Sequence, residues 1–272
     1  MRGETIRRQR VSAGELARLR GRLSGRDLAI IGQVADLRLM SARQIQAIHF
    51  PGEEHESERA ATHARQRVLA KLAREQLLTR LERRIGGVRA GSAGFVFALG
   101  PVGQRLLAQD TRRVRAYEPT SRFVEHTLAI SQLVVDVTLA ARRNELELLR
   151  CQSEPRCWRP FSPLSRLTLR PDLYLAIAAN GYELHWFCEI DRASESIPTL
   201  IKQCRQYHDY YQTGKEQAQN NGIFPRVCWI VPDDHRAERL RDALARRREL
   251  PDRLFVITTS AQALRSLKGE AR

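Results

Sequence analysis

Arg170-Pro-Asp-Leu-Tyr-Leu-Ala-Ile-Ala-Ala-Asn-Gly-Tyr-Glu-Leu-His-Trp-Phe-Cys-Glu-Ile-Asp191 is two apolar runs joined by Asn180-Gly181. Asn-Gly between apolar runs is a strong short-range signal for a β-hairpin. The hairpin sets Asp172 at the start of one strand and Glu189 with Asp191 at the end of its partner. Residues two apart on a strand share a face, so Glu189 and Asp191 point the same way. Three carboxylates then converge, at a cost unless a cation or basic group offsets their repulsion. Hard divalent ions such as Mg²⁺ prefer that oxygen-rich setting.

The flanking sequence builds outward from the hairpin. Upstream, 121–143 has the spacing of a long helix with Val124, Leu128, Ser131, Val135 and Leu139 as its buried stripe, and 146–151 serves as a first strand. Downstream, 197–220 reads as one helix. Lys202, Gln206 and Tyr210 follow one face at i, i+4 and i+8, and Gln203 with Tyr207 forms a second such pair. Then come a short buried strand at 227–231, a very basic helix at 234–248, a strand at 254–258 and a closing helix from Ser260. Strands alternating with helices indicate an α/β (α+β) fold, a mixed sheet covered on both faces.

This order, with Pro171-Asp172 and Glu189-Ile-Asp191 on the hairpin, resembles the PD-(D/E)XK nuclease superfamily over 119–265. The resemblance implies that Asp172 and Glu189 bind Mg²⁺ or Mn²⁺, and that a Lys two residues after the Glu helps position the attacking water. Asp191 stands in that Lys position. Either a basic residue has migrated, Lys202 or Arg192, or the fold survives without cleavage. RecB-like members carry Gln-x-x-x-Tyr on the helix after the hairpin, which gives Gln203, Gln206 and Tyr207 a place at the site. Plain packing of an amphipathic helix accounts for the same tyrosines. The implied catalytic set is Asp172, Glu189, Asp191, Lys202, Gln203, Gln206 and Tyr207. His126, on the first helix, is either an additional polar group of the site or a structural histidine. A covalent mechanism through Tyr207, Tyr210 or Tyr211 lacks the three-histidine metal site it would need.

Charge divides the chain. Of a net charge of +15, nearly all lies in 1–122, where 24 Lys/Arg stand against 12 Asp/Glu; 123–272 holds 22 against 19. An arginine-rich excess suits bidentate phosphate and guanine contacts, so double-stranded DNA is the expected partner. Residues 25–112 have the layout of a winged helix-turn-helix: helices at 27–39, 42–50 and 59–76, a basic Gly-rich hairpin with a returning strand at 95–99, and a short helix at 101–108. Ala61, Ala64, Val68 and Leu72 form the inner stripe of the third helix. Arg59, His63, Arg67, Lys71 and Arg74 lie on its outer side, and Arg83, Arg84 and Arg89 lie on the wing. Such a layout reads duplex DNA, with the helix in the major groove and the wing on phosphates. A basic solvated face on a helical bundle is the bland alternative. Residues 1–24 read as a basic N-terminal arm, with a short helix at 13–23 as the other option.

Both halves together resemble the replication-relaxation family of bacterial plasmids and mobile elements. The resemblance rests on Leu77-Leu-Thr-Arg80, the strand Phe95 to Leu99 with Gly103 and Leu106-Leu107 after it, His126-Thr-Leu-Ala129, Arg170-Pro-Asp172, Glu189-Ile-Asp-Arg192, and Lys202 with Tyr207. In that family the second acidic strand often reads Glu-x-Asp-Arg, which makes Asp191 a family trait. The implied context is DNA processing in replication or transfer, with replication or conjugation machinery as further partners. The alternative is a DNA-binding regulator or accessory factor whose nuclease-like domain only dimerises or clamps DNA. A homodimer is expected, since winged-helix proteins commonly bind two half-sites.

Composition sets outer bounds. At 272 residues the chain can hold two modest domains. No apolar run near 18 residues is evident and no apolar h-region follows the basic N-terminus, so no membrane span or leader is expected. Cys151, Cys157, Cys188, Cys204 and Cys228 fit no zinc spacing and read as buried thiols in a reducing cytoplasm.

Overall fold

The computed structural model describes residues 12–84, 94–107, 120–161 and 167–270. The chain divides into two compact units, Met1–Pro119 and Thr120–Arg272.

The N-terminal unit begins with α1 (Ala13–Arg22) and α2 (Gly25–Leu37), so part of the expected arm is helical. A strand, β1 (Leu39–Ser41), leads into α3 (Ala42–His49) and then α4 (Glu58–Arg74). Each of the four helices opens on a serine that accepts a hydrogen bond from the backbone N–H three residues on: Ser12, Ser24, Ser41 and Ser57. Glu15, Asp27 and Gln44 return the bond to the first three of those serines, closing capping boxes. β2 (Leu78–Arg84), β3 (Phe95–Leu99) and α5 (Pro101–Leu107) complete the unit. The strands form an antiparallel sheet in the order β1-β3-β2. Leu39-Met40, at the junction of the helices expected over 27–39 and 42–50, is thus a sheet edge with Met40 opposite Phe97. A Cβ on Gly103 would lie 2.2 Å from the Leu77 carbonyl oxygen, so α5 reaches the start of β2 only because that residue is glycine.

The inner stripe of α4 differs from the expected one. The buried residues are Ala61, Arg65, Leu69 and Leu72, while Ala64 and Val68 are half-buried. Arg65 fits inside because its guanidinium donates to Gln46 Oε1 on α3 at 2.5 Å. A charged side chain does not register in an apolar periodicity, which is why spacing alone misplaces the stripe.

The C-terminal unit is a five-stranded mixed sheet flanked by helices. It starts with α6 (Ser121–Arg142) and β4 (Glu147–Ser153), followed by a two-stranded ribbon of β5 (Arg159–Pro160) and β6 (Thr168–Leu169). The hairpin is β7 (Leu173–Ala179) and β8 (Tyr182–Ile190), turning through Asn180 and Gly181 at φ of 53° and 80°. Two positive φ values are what a type I′ turn requires, which is why Asn-Gly sits there. Next come α7 (Ile197–Gln212), α8 (Lys215–Gln219), β9 (Arg226–Val231), α9 (Asp234–Ala245), β10 (Phe255–Thr259) and α10 (Ala263–Leu267). The sheet order is β10-β9-β8-β7-β4, antiparallel from β4 to β8 and parallel from β8 to β10.

One helix had been expected over 197–220, but the structure divides it. Gly214 adopts φ +68° between α7 and α8, and Glu216 turns inward to receive Tyr210 Oη at 2.9 Å and Arg159 Nε at 3.1 Å. One face of the sheet packs Tyr174, Phe187 and Trp229 against Leu200, Cys204 and Tyr207 of α7 and Leu240 of α9. At the far end of the chain, α10 closes with the Leu267 carbonyl accepting Trp186 Nε1 at 3.0 Å. Among the described residues α6 alone is long and apolar enough to cross a membrane by length and composition, which the sequence reading missed; it packs against β4, β8 and α10 as a core helix. The five cysteines are all free thiols, four of them buried.

Candidate functional site

The hairpin register decides the site. Leu173 pairs with Cys188 at the end of the ladder, which leaves Asp172, the residue before it, beside the end of β8 and its charge acting on Glu189. Asp172 Oδ2 accepts the Ile190 backbone N–H at 2.8 Å, and Oδ1 lies 3.0 Å from His126 Nε2 on α6. Glu189 Oε1 accepts a short hydrogen bond from the Tyr207 hydroxyl on α7. The pair therefore sits where β7 begins and β8 ends, at the carboxyl edge of the parallel strands. Ligands of open α/β sheets commonly bind at that edge.

The electrostatics follow from this crowding. Desolvation pushes the Glu189 carboxyl well above the usual carboxylate range, and the negative charges of Asp172, Glu195 and Glu154 push it the same way. Burial, then Glu189 itself, raises Tyr207 well above an ordinary phenol. The hydrogen bond to Asp172 raises the His126 imidazole, against the effects of desolvation and of Arg192. A carboxyl held among acids and a neutral phenol is short of positive charge.

Asp191 does not join this pair. Its Oδ2 accepts Arg236 Nε at 2.6 Å and its Oδ1 accepts the Ala193 N–H at 2.9 Å. The two side chains are 2% and 10% exposed, so this is a buried, satisfied ion pair. Arg236 is held in turn by the Glu195 carbonyl at 2.7 Å. Of the helix candidates, Gln203 lies at the rim with its Nε2 donating to Glu195 Oε2 at 3.1 Å, and Tyr207 reaches Glu189. Of the Gln203/Tyr207 pair, Tyr207 contacts Glu189 and Gln203 contacts Glu195. Lys202 and Gln206 are exposed, and Tyr210 is committed to Glu216. Arg192 pairs with Glu125 at 3.0 Å.

Sequence reasoning passed over Glu154, Glu195 and Arg236, because their roles depend on contacts across the fold. Arg170, of the Arg170-Pro-Asp172 stretch, lies with its guanidinium 4.8 Å from the centre of the Trp158 ring.

Among the described residues, no group of three or more His, Cys, Asp or Glu side chains is arranged to hold a metal ion. The expected convergence of three carboxylates is reduced to two, since Asp191 is neutralised by Arg236. Two carboxylates still match a small hard cation that keeps most of its waters.

On the N-terminal unit, Arg59, His63, Arg67 and Arg74 are exposed along α4. Lys71 is half-buried and its Nζ bonds Asp27 Oδ2 at 2.8 Å, so it is tied to α2. Arg83 and Arg84 end β2, and Arg89 lies outside the described residues.

No curated protein and no solved structure matches the chain. The Replication-relaxation family matches residues 31–227, which takes in most of both units. The chain belongs to the Replication-relaxation family, a membership that implies a role in the replication of a plasmid or related element.

Proposed function

We propose that this protein binds duplex DNA through its N-terminal unit, read as a winged helix, in the replication or transfer of its element. One observation carries the reading. The order helix, strand, helix, helix, strand, strand around a three-stranded antiparallel sheet makes α4 the helix after the turn. That helix is the one whose outer side bears Arg59, His63, Arg67 and Arg74. In this layout such a helix enters the major groove and the β2–β3 hairpin lies on phosphates. The test is fluorescence anisotropy on duplex DNA across a salt series. Arg67→Ala should weaken binding about tenfold and lower the salt slope by about one unit. Unchanged affinity and slope would remove α4 from the interface.

The C-terminal unit is read as PD-(D/E)XK-like, with Asp172 and Glu189 holding Mg²⁺ or Mn²⁺. A bound divalent ion would supply a water of lowered pKa and neutralise charge on a scissile phosphate. The chain's own residues do the rest. The Ile190 N–H and His126 fix the Asp172 carboxylate, Tyr207 fixes Glu189, and the Gln203–Glu195 contact frames the mouth. Arg192 and Lys202 are both exposed; Arg192, which acts on His126 through space, is the better placed for the cationic role. Calorimetric titration of Mg²⁺ and Mn²⁺, run beside a supercoiled-plasmid nicking assay, tests this. Asp172→Ala should lose both metal binding and nicking while keeping DNA affinity.

The Asp191–Arg236 pair favours a second, non-catalytic reading, because an acid sealed in an ion pair cannot do the work of a lysine. The C-terminal unit then clamps DNA or dimerises, with the β4 edge and its exposed Leu149 as a surface for a second copy. A wild type that neither binds the metals nor nicks selects this reading.

A further inference from the structure

The C-terminal unit is electrically polarised along its strands. At the carboxyl edge of β8 and β9 stand Asp172, Glu189, Glu195 and Asp233, with Asp234 opening α9 and Asp191 neutralised by Arg236. The opposite edge, where β9 and β10 begin, carries arginines. α9 connects the end of β9 to the start of β10, so it runs back about 18 Å at 1.5 Å per residue and delivers its C-terminus to that edge.

Arg246, Arg247 and Arg248 follow directly from the last turn of α9, and all three are exposed. The segment is held in a tight turn by Arg247 N–H to the Leu244 carbonyl at 2.8 Å and Leu250 N–H to the Arg247 carbonyl at 2.9 Å. Buried Leu250 anchors its end. Arg253 and Arg226, both exposed, complete the corner, with Arg226 Nε donating to the Arg253 carbonyl at 3.0 Å. No carboxylate among the described residues lies within ion-pair distance of Arg246, Arg247, Arg248 or Arg253. Glu249, the nearest acid in sequence to the run, is taken by Arg205 at 3.2 Å.

Favourable contact with the negative end of α9 accounts for one or two cations there. Arg226 lies over the Trp186 ring, and Glu249 and Asp252 are the acids of the 246–253 segment; the end of α9 does not account for the remaining excess of guanidinium groups, where each like-charged neighbour costs free energy.

We propose that this arginine corner, formed by Arg226, Arg246, Arg247, Arg248 and Arg253, is a second nucleic-acid surface that grips the phosphate backbone of duplex DNA independently of α4 and of the carboxylate pair. The inference rests on the reading of the protein as DNA-binding and extends it to the other unit. Guanidinium groups match phosphate oxygens two donors at a time. A membrane fits less well, because the 246–248 run offers no exposed large apolar side chain to insert, Leu244 and Leu250 being buried, and Ile223 beside Arg226 stands alone.

The experiment uses the full chain in EDTA, with duplex binding followed by anisotropy across a KCl series. Joint replacement Arg246→Gln, Arg247→Gln and Arg248→Gln should lower the salt slope by about 2–3 units and weaken binding at low salt by at least about tenfold. The three Arg→Lys replacements should restore the slope, since each keeps its charge. Equal slope and affinity for the Gln variant and wild type would overturn the proposal, as would loss of binding to anionic vesicles with DNA binding intact. Arg253→Gln, on a different element, gives an independent smaller step should the triple variant fold poorly. Arg67→Ala separates the two readings. An effect of Arg67→Ala alone sinks the corner and leaves α4, and an effect of the corner variants alone does the reverse.

Discussion

Glu189 and Asp191 lie two residues apart on one edge of the same sheet, the first half-buried and the second buried, and they are opposite kinds of acid. Asp191 has a guanidinium 2.6 Å away, a backbone N–H on its other oxygen, and almost no exposure. Glu189 has a phenol on one oxygen and three acids acting on it through space. The first is a completed interaction that ties β8 to α9. The second is an interaction short of a positive charge, which is where a ligand can contribute what the protein withholds. The partner supplied by the fold, more than the residue type, separates the structural carboxylate from the functional candidate.

The strongest test of that contrast is Arg236→Ala. Removing the guanidinium leaves Asp191 buried and uncompensated, a change that costs about 3–5 kcal/mol. Urea denaturation should register the loss, and Arg236→Ala/Asp191→Ala should recover much of it. A single variant as stable as wild type would mean that Asp191 reaches water or a proton, and the contrast with Glu189 would dissolve.

A pair with one partner partly in water gives an intermediate case. Asp27 on α2 is buried while the Lys71 side chain is 35% exposed, at 2.8 Å. Burial works against the charged Asp27, but the bonds from Lys71 and Ser24 carry its pKa below the ordinary value of 3.8. An acid whose folded-state pKa is depressed stabilises the fold above its unfolded value, and that contribution is lost as pH falls through the folded one. Asp27→Ala should therefore cost about 1–2 kcal/mol at neutral pH, given the screening at Lys71, and nothing in strong acid. A cost that persists in acid would assign the effect to the helix cap instead of to the ion pair.

These cases mark what the sequence could and could not reveal. Asn180-Gly181 forces its turn locally, and the turn sets the register that brings Asp172 beside the end of β8, so that pair was legible from one short segment. Each serine cap has its partner three residues away, so it too is a local feature of the sequence. The partner of Asp191 lies 45 residues on, and nothing local in β8 points to it. β1 escaped because three residues are too few to show a period of two. The break at Gly214 escaped because its helical pattern continues across it, and only the burial of Glu216 against Arg159 and Tyr210 requires the turn. The three-carboxylate convergence was therefore expected from geometry that is correct along the strand and incomplete across the fold.

The smallest expected effect has the opposite sign. Glu189 has a folded-state pKa raised above its ordinary 4.5, so between those two values the folded chain holds a proton that the unfolded chain has released. Stability must then fall as pH rises through that window, the reverse of Asp27. In EDTA, Glu189→Gln should flatten this slope and leave the protein as stable as wild type, or slightly more stable, at neutral pH. Added Mg²⁺ or Mn²⁺ should stabilise the wild type and leave the Gln variant unmoved, because the amide cannot supply the negative charge. Asp191→Asn, two residues away, should behave in neither fashion: it should lose stability with or without metal. Were the two variants to respond alike, Glu189 would be another piece of packing, and the case for a cation at this edge would rest on nothing else in the sheet.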